Sequence, residues 1–161
     1  MSRKVAIIGG GSWGTAIAQV IASNGYPVLV YVRNAKQKGD INESHINTNY
    51  FPDFELSANI KATDSLDEVV EFGTVIFMAV PTHGSRSILQ KIHGKITDNQ
   101  IIVSTAKGIE ENTYKRNSQI IREYLENPVI VLSGPTHAEE VIKSLPTAVV
   151  AASEDKKSAQ L

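Results

Sequence analysis

One stretch near the start of the chain decides its fold: Lys4-Val5-Ala6-Ile7-Ile8-Gly9-Gly10-Gly11-Ser12-Trp13-Gly14. Its first half is a short aliphatic run, which is typical of a buried strand. Its second half contains Gly-x-Gly-x-x-Gly at Gly9, Gly11 and Gly14, and an amphipathic segment follows at 15–23. A strand, this glycine pattern and a helix in succession indicate a turn that binds a dinucleotide. The alternative is a glycine-rich turn that only connects strand to helix.

Each glycine of the motif would meet a different physical demand. Gly9 permits the tight turn, Gly11 lets a pyrophosphate approach the backbone, and Gly14 allows the helix to pack closely on the strand. The N–H groups of the first helical turn have no partners inside the helix, and the helix dipole favours an anion there. We therefore expect an anionic pyrophosphate at this turn.

Short β-rich runs recur along the chain and alternate with helix-like stretches. The predicted strands are 5–8, 28–32, 60–62, 75–79, 101–104, 129–133 and 148–152. Most of them are continuously apolar, as strands covered on both faces require. The alternation predicts an α/β fold with a doubly wound, mostly parallel sheet. In the first helix, the stripe Trp13, Ala16, Ile17, Val20 and Ile21 should face the core. Segment 42–57 is interpreted as a helix end followed by a loop.

Composition narrows the class of protein. The chain has 161 residues, 42% apolar and 20% charged, which fits one globular domain. A net charge of −1 argues against nucleic-acid binding by bulk phosphate neutralisation. Cysteine is absent and the histidines have no metal-ligand spacing, so we expect neither thiol chemistry nor a metal site. The apolar runs are too short to cross a bilayer, and a cytoplasmic location is the default expectation.

The end of the second strand bears on which cofactor binds. NAD-specific sites usually carry Asp or Glu about 20 residues after the glycine motif. Here the sequence reads Tyr31-Val32-Arg33-Asn34, with a cation in that region. Because a guanidinium pairs well with phosphate, Arg33 predicts that NADPH is accepted. The alternative is an exposed charge at a strand end.

Three further segments follow predicted strands and should share the edge where open parallel sheets bind ligands. Pro81-Thr82-His83 is expected to contact the cofactor through its backbone, and His83 is either catalytic or structural. Lys107 either reaches the crevice, to hold a phosphate or polarise a carbonyl, or is a solvated lysine. Gly134-Pro135-Thr136-His137-Ala138 is either an anion-binding helix start or a plain junction.

Taken together, these segments resemble the N-terminal half of the bacterial NAD(P)-dependent glycerol-3-phosphate dehydrogenases. The resemblance covers essentially the whole chain and rests on Gly9-Gly10-Gly11-Ser12-Trp13-Gly14-Thr15-Ala16, Thr105-Ala106-Lys107-Gly108-Ile109-Glu110, Leu132-Ser133-Gly134-Pro135-Thr136-His137-Ala138, and Asn49-Tyr50-Phe51-Pro52 with Asn59-Ile60. It implies reversible hydride transfer between NADP(H) or NAD(H) and dihydroxyacetone phosphate or sn-glycerol 3-phosphate. The latter supplies the backbone of membrane phospholipids.

The resemblance also assigns roles to matching positions. Cofactor contacts are expected at Gly9, Gly11, Ser12, Trp13, Gly14, Arg33, Lys107 and Ala138. Substrate contacts are expected at Lys107, Gly134 and Thr136.

Some functional residues of the family have no counterpart in the chain. Family members are about twice as long, and their second, helical domain carries the general acid/base lysine and an Arg-Asn pair for the substrate phosphate. We therefore expect residues 1–161 to be a single Rossmann domain truncated at its C-terminal end, with the catalytic lysine beyond Leu161. The chain alone should bind cofactor without turnover, and the full-length enzyme should be a homodimer.

Two alternatives stay open at this point. One is a free-standing dinucleotide sensor or another non-catalytic module. The other is the first half of a different two-domain dehydrogenase, acting on a 3-hydroxy acid. The coding sequence that follows codon 161 would distinguish the sensor from the enzymes.

Overall fold

The computed structural model describes residues 3–160 as an α/β fold. The strands are β1 Val5–Ile8, β2 Val28–Tyr31, β3 Ile46–Asn47, β4 Phe51–Glu55, β5 Ile60–Thr63, β6 Val75–Met78, β7 Ile101–Ser104, β8 Val129–Ser133 and β9 Val150–Ser153. The α-helices are α1 Ser12–Ser23, α2 Ala35–Gly39, α3 Leu66–Phe72, α4 Thr82–Ile92, α5 Asn117–Arg122, α6 Ala138–Val141 and α7 Lys156–Ala159. None of the helices described between residues 3 and 160 has the length and apolarity needed to cross a membrane.

Seven strands form one sheet in the order β5-β2-β1-β6-β7-β8-β9. Neighbours pair in parallel except β8 and β9, which are antiparallel. The doubly wound, mostly parallel sheet predicted from the sequence is therefore confirmed. Strand order reverses between β1 and β6, because the chain moves outward from β1 to β5 and then returns to start again at β6. Such a reversal opens a crevice at the carboxyl ends of the strands.

Helices cover the sheet on both faces and enclose two apolar clusters. On one face, α1 and α6 pack together with the segment around Ile41 and Phe51. On the other face, α3, α4 and α5 bury Val69, Leu89 and Ile120. The helices that follow β1 and β6 thus lie on opposite faces of the sheet, which leaves the crevice open between them.

The prediction for the buried stripe of α1 is wrong at one position. Val20 is 39% exposed and borders a shallow apolar groove with Tyr26 and Leu132. The buried face of α1 instead includes Gly14 and Ala18, besides Ala16, Ile17 and Ala22. Small side chains on that face let the helix approach the sheet closely, whereas Val20 faces the groove.

Segment 42–57 also differs from its interpretation as helix end and loop. A π-helical turn, Asp40–Ser44, continues α2, and the chain then forms the antiparallel hairpin β3–β4. Phe51 and Leu56 are buried in this segment, whereas Pro52 and Asp53 are exposed. Proline is tolerated because the hairpin has only two strands, so each of them is an edge.

Candidate dinucleotide site

A cleft of about 890 Å³ lies at the carboxyl edge of the sheet, beside the ends of β1 and β6. The glycine-rich turn, the end of β2, the first turns of α4 and α6, and the loop after β7 form its walls. Among the residues predicted from the sequence, its lining contains Gly9, Gly11, Ser12, Trp13, Arg33, Lys107, Thr136 and Ala138. The structure therefore brings together residues that lie up to 129 positions apart in the chain, from Gly9 to Ala138.

The three motif glycines have different surroundings. Gly9 has a φ of +122°, and a Cβ atom there would lie 2.6 Å from the Ala79 carbonyl oxygen. Gly14 is buried outside the cleft lining, and a Cβ atom on it would stand 1.9 Å from the Gly9 carbonyl oxygen. A Cβ atom on Gly11 would meet nothing within 4 Å. Gly11 is thus the motif glycine whose bare backbone borders open space in the cleft.

A buried polar network, which the sequence reasoning missed, holds the turn from behind. The Gly10 carbonyl oxygen accepts hydrogen bonds from Gln37 Nε2 at 2.6 Å and from Asn47 Nδ2 at 3.2 Å. Asn47 Nδ2 also donates to Thr15 Oγ1 at 2.7 Å. No local signal in the sequence could reveal these bonds, because the donors come 27 and 37 residues after Gly10.

Arg33 lies on the rim of the cleft directly after β2, and its side chain is exposed. Asn34 follows it and caps α2, accepting from the backbone N–H of Lys36 at 2.8 Å. Tyr50, at the tip of the β3–β4 hairpin, lines the same cleft and is 49% exposed. In the sequence, Tyr50 stands out only as part of the stretch that resembles the family, because its place on the rim depends on the β3–β4 hairpin, which the sequence does not predict.

Lys107 reaches from the loop after β7 towards the start of α6. Its Nζ donates to the Gly134 carbonyl oxygen at 2.9 Å. Gly134 itself is absent from the lining, and a Cβ atom there would lie 2.4 Å from the Ala148 carbonyl oxygen. Gly134 therefore contributes its carbonyl to Lys107 and close packing to the chain before β9.

Two lining side chains carry buried polar atoms without a hydrogen-bond partner in the described part of the chain: Trp13 Nε1 and Thr136 Oγ1. Buried donors and acceptors normally have partners, so such atoms at a cleft are suited to a polar ligand. Together with the open backbone at Gly11 and the cation at Arg33, they fit a phosphorylated dinucleotide. The donor set of this cleft is therefore chemically compatible with NAD(P)H.

Both histidines predicted near the sheet edge, His83 and His137, line the cleft and are exposed. His83 belongs to the first turn of α4, and His137 precedes α6. Across residues 3–160, no three His, Asp or Glu side chains cluster in a way that could hold a metal ion.

An ionic network braces the loop that carries Lys107. Arg86 on α4 donates from Nε and Nη2 to the two carboxylate oxygens of Glu110, at 2.9 and 2.8 Å. Its Nη1 donates to Glu123, which also accepts from Lys115 Nζ at 2.6 Å. The hydrogen bonds from Arg86, and then from Thr113, lower the pKa of Glu110 to about 2. Those from Arg86 and Lys115 lower the pKa of Glu123 to about 2.

The sheet order, the glycine-rich turn before α1 and the crevice at the strand reversal define a Rossmann-type domain. A family model described as the N-terminus of NAD-dependent glycerol-3-phosphate dehydrogenase matches residues 4–159. The chain belongs to this family, and it corresponds to the family's N-terminal region.

Individual relatives agree with this assignment. The chain is 57% identical over 160 residues to glycerol-3-phosphate dehydrogenase [NAD(P)+] of Halothermothrix orenii, covering 99% of this chain and 47% of that protein. It is 48% identical to the enzyme of the same name from a Clostridium botulinum strain, covering 97% of this chain and 47% of the relative. The chain therefore spans about half the length of the curated relatives it matches.

Solved structures show the same relation. The crystal structure of glycerol-3-phosphate dehydrogenase from Coxiella burnetii matches with a TM-score of 0.92 at 28% identity, over 99% of this chain and 49% of that one. A pyrroline-5-carboxylate reductase from the same organism matches with a TM-score of 0.73 at 15% identity, which reflects the fold alone.

Proposed function

We propose that this chain is the cofactor-binding part of an oxidoreductase that transfers hydride between NAD(P)H and dihydroxyacetone phosphate or sn-glycerol 3-phosphate. The sn-glycerol 3-phosphate formed in this reaction would be a precursor for glycerophospholipid biosynthesis. The observation that carries the proposal is the open backbone of Gly11 at the start of α1, in a cleft that also contains Arg33 and Lys107. The names of the curated relatives favour this enzyme over a dinucleotide sensor or a 3-hydroxy acid dehydrogenase.

In the proposed cofactor site, the glycine-rich turn holds the pyrophosphate. The backbone N–H groups of Ser12 and Trp13 belong to the first turn of α1, where a helix supplies no internal acceptor, and the helix dipole adds to their attraction for an anion. Arg33, on the rim after β2, would pair with a 2′-phosphate. Gly9 and Gly14 shape the turn, while Lys107 and Ala138 complete the opposite wall.

In the proposed substrate site, Lys107 contacts the substrate as well as the cofactor. Its Nζ is held by the Gly134 carbonyl, and the hydroxyl of Thr136, which has no partner between residues 3 and 160, lies on the same wall of the cleft. A fixed ammonium group stabilises negative charge, and this suits a phosphorylated triose. When bound, the reduced nicotinamide ring supplies the hydride, and we expect the general acid/base lysine beyond Leu161.

The remaining expectations belong to the same proposal. Residues 1–161 would form one dinucleotide-binding domain of a longer enzyme, which would be a homodimer in the cytoplasm. Sedimentation of that longer enzyme and fractionation of cells that express it would test these two points.

Calorimetry with the Gly11→Ala variant tests the proposed cofactor site. Its methyl group meets no protein atom within 4 Å, so the fold should tolerate it, while the cleft side of the turn becomes blocked. We expect NADPH to bind the unmodified chain and to bind Gly11→Ala at least about tenfold more weakly. Gly94→Ala is the matched control, because a Cβ atom at Gly94 also meets nothing within 4 Å and Gly94 is outside the cleft lining.

The proposal fails if the folded chain gives no binding with NADPH or NADH. It also loses its main support if Gly11→Ala and Gly94→Ala bind NADPH equally well. Circular dichroism of all three proteins establishes that they share one fold.

A further inference from the structure

We propose that Asn47, acting with Gln37, is a positioning residue for the cofactor. Its side chain fixes the peptide between Gly10 and Gly11, so that the Gly11 N–H faces the cleft. This inference rests on the proposed function, because it assumes that the cleft binds NAD(P)H. It assigns a role to a side chain that is absent from the cleft lining.

The Gly10 carbonyl is held by two side chains from different elements. Gln37 belongs to α2 and is 7% exposed, and Asn47 belongs to β3 and is fully buried. The two donors also bond to each other, since Gln37 Nε2 donates to Asn47 Oδ1 at 3.1 Å. A buried and mutually bonded network gives each member a defined orientation, because a broken bond would leave a polar group unpaired.

The orientation of that carbonyl determines where the next N–H points. A peptide group is planar and trans, and the described residues contain no cis peptide bond. The carbonyl oxygen and the following N–H therefore point in opposite directions. The Gly10 oxygen is turned towards the fully buried Asn47, as well as towards Gln37, which is 7% exposed and lines the cleft. The Gly11 N–H points the opposite way from this oxygen and is therefore directed away from Asn47, towards the cleft that Gly11 lines.

A constraint of this kind matters more here than at an ordinary peptide. Glycine has no Cβ atom to restrict its backbone, and Gly10 and Gly11 are adjacent glycines, so this peptide has unusual freedom to rotate. A rotated peptide would present a carbonyl oxygen to the pyrophosphate and repel it. The Asn47 network also bonds to Thr15 on α1, and so it ties the turn, the helix, α2 and the hairpin together.

The test compares Asn47→Asp with Asn42→Asp. An aspartate at position 47 keeps the shape but cannot donate to the Gly10 oxygen. Asn42 also donates to a backbone carbonyl, that of Ala62 at 2.9 Å, and is outside the cleft lining. We expect Asn47→Asp to bind NADPH at least about tenfold more weakly, because it loses the Nδ2 donor that bonds both the Gly10 oxygen and Thr15 Oγ1. Asn42→Asp should stay within about twofold of the unmodified chain, even if its melting temperature falls.

Binding of a second ligand distinguishes the positioning of the Gly10–Gly11 peptide from a general loss of structure. Adenosine 2′-monophosphate carries the phosphate proposed for Arg33 but no pyrophosphate. Asn47→Asp should bind it as the unmodified chain does, as measured by NMR titration. The inference is overturned if Asn47→Asp leaves NADPH binding unchanged, or if it weakens both ligands equally.

Two further outcomes are also decisive. If the unmodified chain binds neither ligand, the proposed function fails and the inference fails with it. If Asn47→Asp does not fold, Thr15→Val takes its place, because it removes the acceptor that orients the Asn47 amide while preserving shape. A severalfold loss of NADPH affinity in Thr15→Val supports positioning, and unchanged affinity overturns it.

Discussion

Arg33 is the residue that would distinguish the two nicotinamide cofactors. It lies on the rim of the cleft with an exposed side chain, and a guanidinium there can make charge-assisted hydrogen bonds to a 2′-phosphate. Replacing it with aspartate would put a negative charge beside that phosphate. We expect Arg33→Asp to weaken NADPH binding at least about tenfold and NADH binding much less, as measured by calorimetry.

Lys61→Asp provides the control for the change in net charge. Lys61 is an exposed cation on β5 outside the cleft lining, so its reversal should affect neither cofactor appreciably. Equal losses of NADPH and NADH affinity in Arg33→Asp would show that Arg33 does not recognise the 2′-phosphate.

At the scale of elements, Arg86 joins α4 to the Lys107 loop and to Glu123, just after α5. Arg86→Met should therefore lower the melting temperature at pH 7, by about 2–4 °C. Both carboxyls, Glu110 and Glu123, have a pKa of about 2 instead of the ordinary 4.5. Their contribution to stability is thus complete above about pH 5 and is lost as the pH falls towards 2.

Thermal melts of Arg86→Met and the unmodified chain between pH 7 and pH 2 test this prediction. The difference in melting temperature should shrink over the acid range as both carboxylates become protonated. Arg122→Met is the control, because the partner of Arg122 is Glu154, whose side chain is 88% exposed, and such pairs contribute little. If the difference in melting temperature between Arg86→Met and the unmodified chain stayed constant down to pH 2, the ion pairs of Arg86 with Glu110 and Glu123 would not be its cause.

The sequence predicts those strands that appear in it as continuous apolar runs. The bounds of β1, β7 and β8 agree with the prediction, because continuously apolar runs stand out from their polar neighbours. The β3–β4 hairpin was missed, because Pro52 and the polar residues around it resemble a loop. Val20 was misplaced, because only the packed structure shows which face of α1 meets the sheet.

The candidate site likewise contains residues that the sequence predicts and contacts that it does not. Motif residues such as Gly11 and Lys107 follow strand ends, and a parallel sheet brings those ends together at one edge. The bonds from Gln37 and Asn47 to the Gly10 carbonyl depend on how α2 and the hairpin pack, which no short-range pattern contains. The chemical roles of all these residues stay predictions until binding is measured.

At the scale of the whole molecule, the proposed function makes the chain one wall of a reaction site. It spans about half the length of its curated relatives. The proposed function assigns the general acid/base lysine to the part of the enzyme that this chain does not contain. We expect the purified 161-residue chain to bind NADPH but to show no oxidation of NADPH when dihydroxyacetone phosphate is added. Absorbance of NADPH measures turnover, and calorimetry on the same sample confirms binding; a steady loss of NADPH that depends on substrate would contradict the prediction.

Trp13 is the chain's single tryptophan, and its indole lies in the wall of the cleft with Nε1 buried and unpartnered among the described residues. Intrinsic fluorescence of this protein therefore arises mainly from the cleft itself. A bound nicotinamide ring in its reduced form would accept energy from the indole, so occupancy by NADPH or NADH could be followed optically without attaching a dye. The same emission would also reveal whether a substitution elsewhere in the chain disturbs the glycine-rich turn.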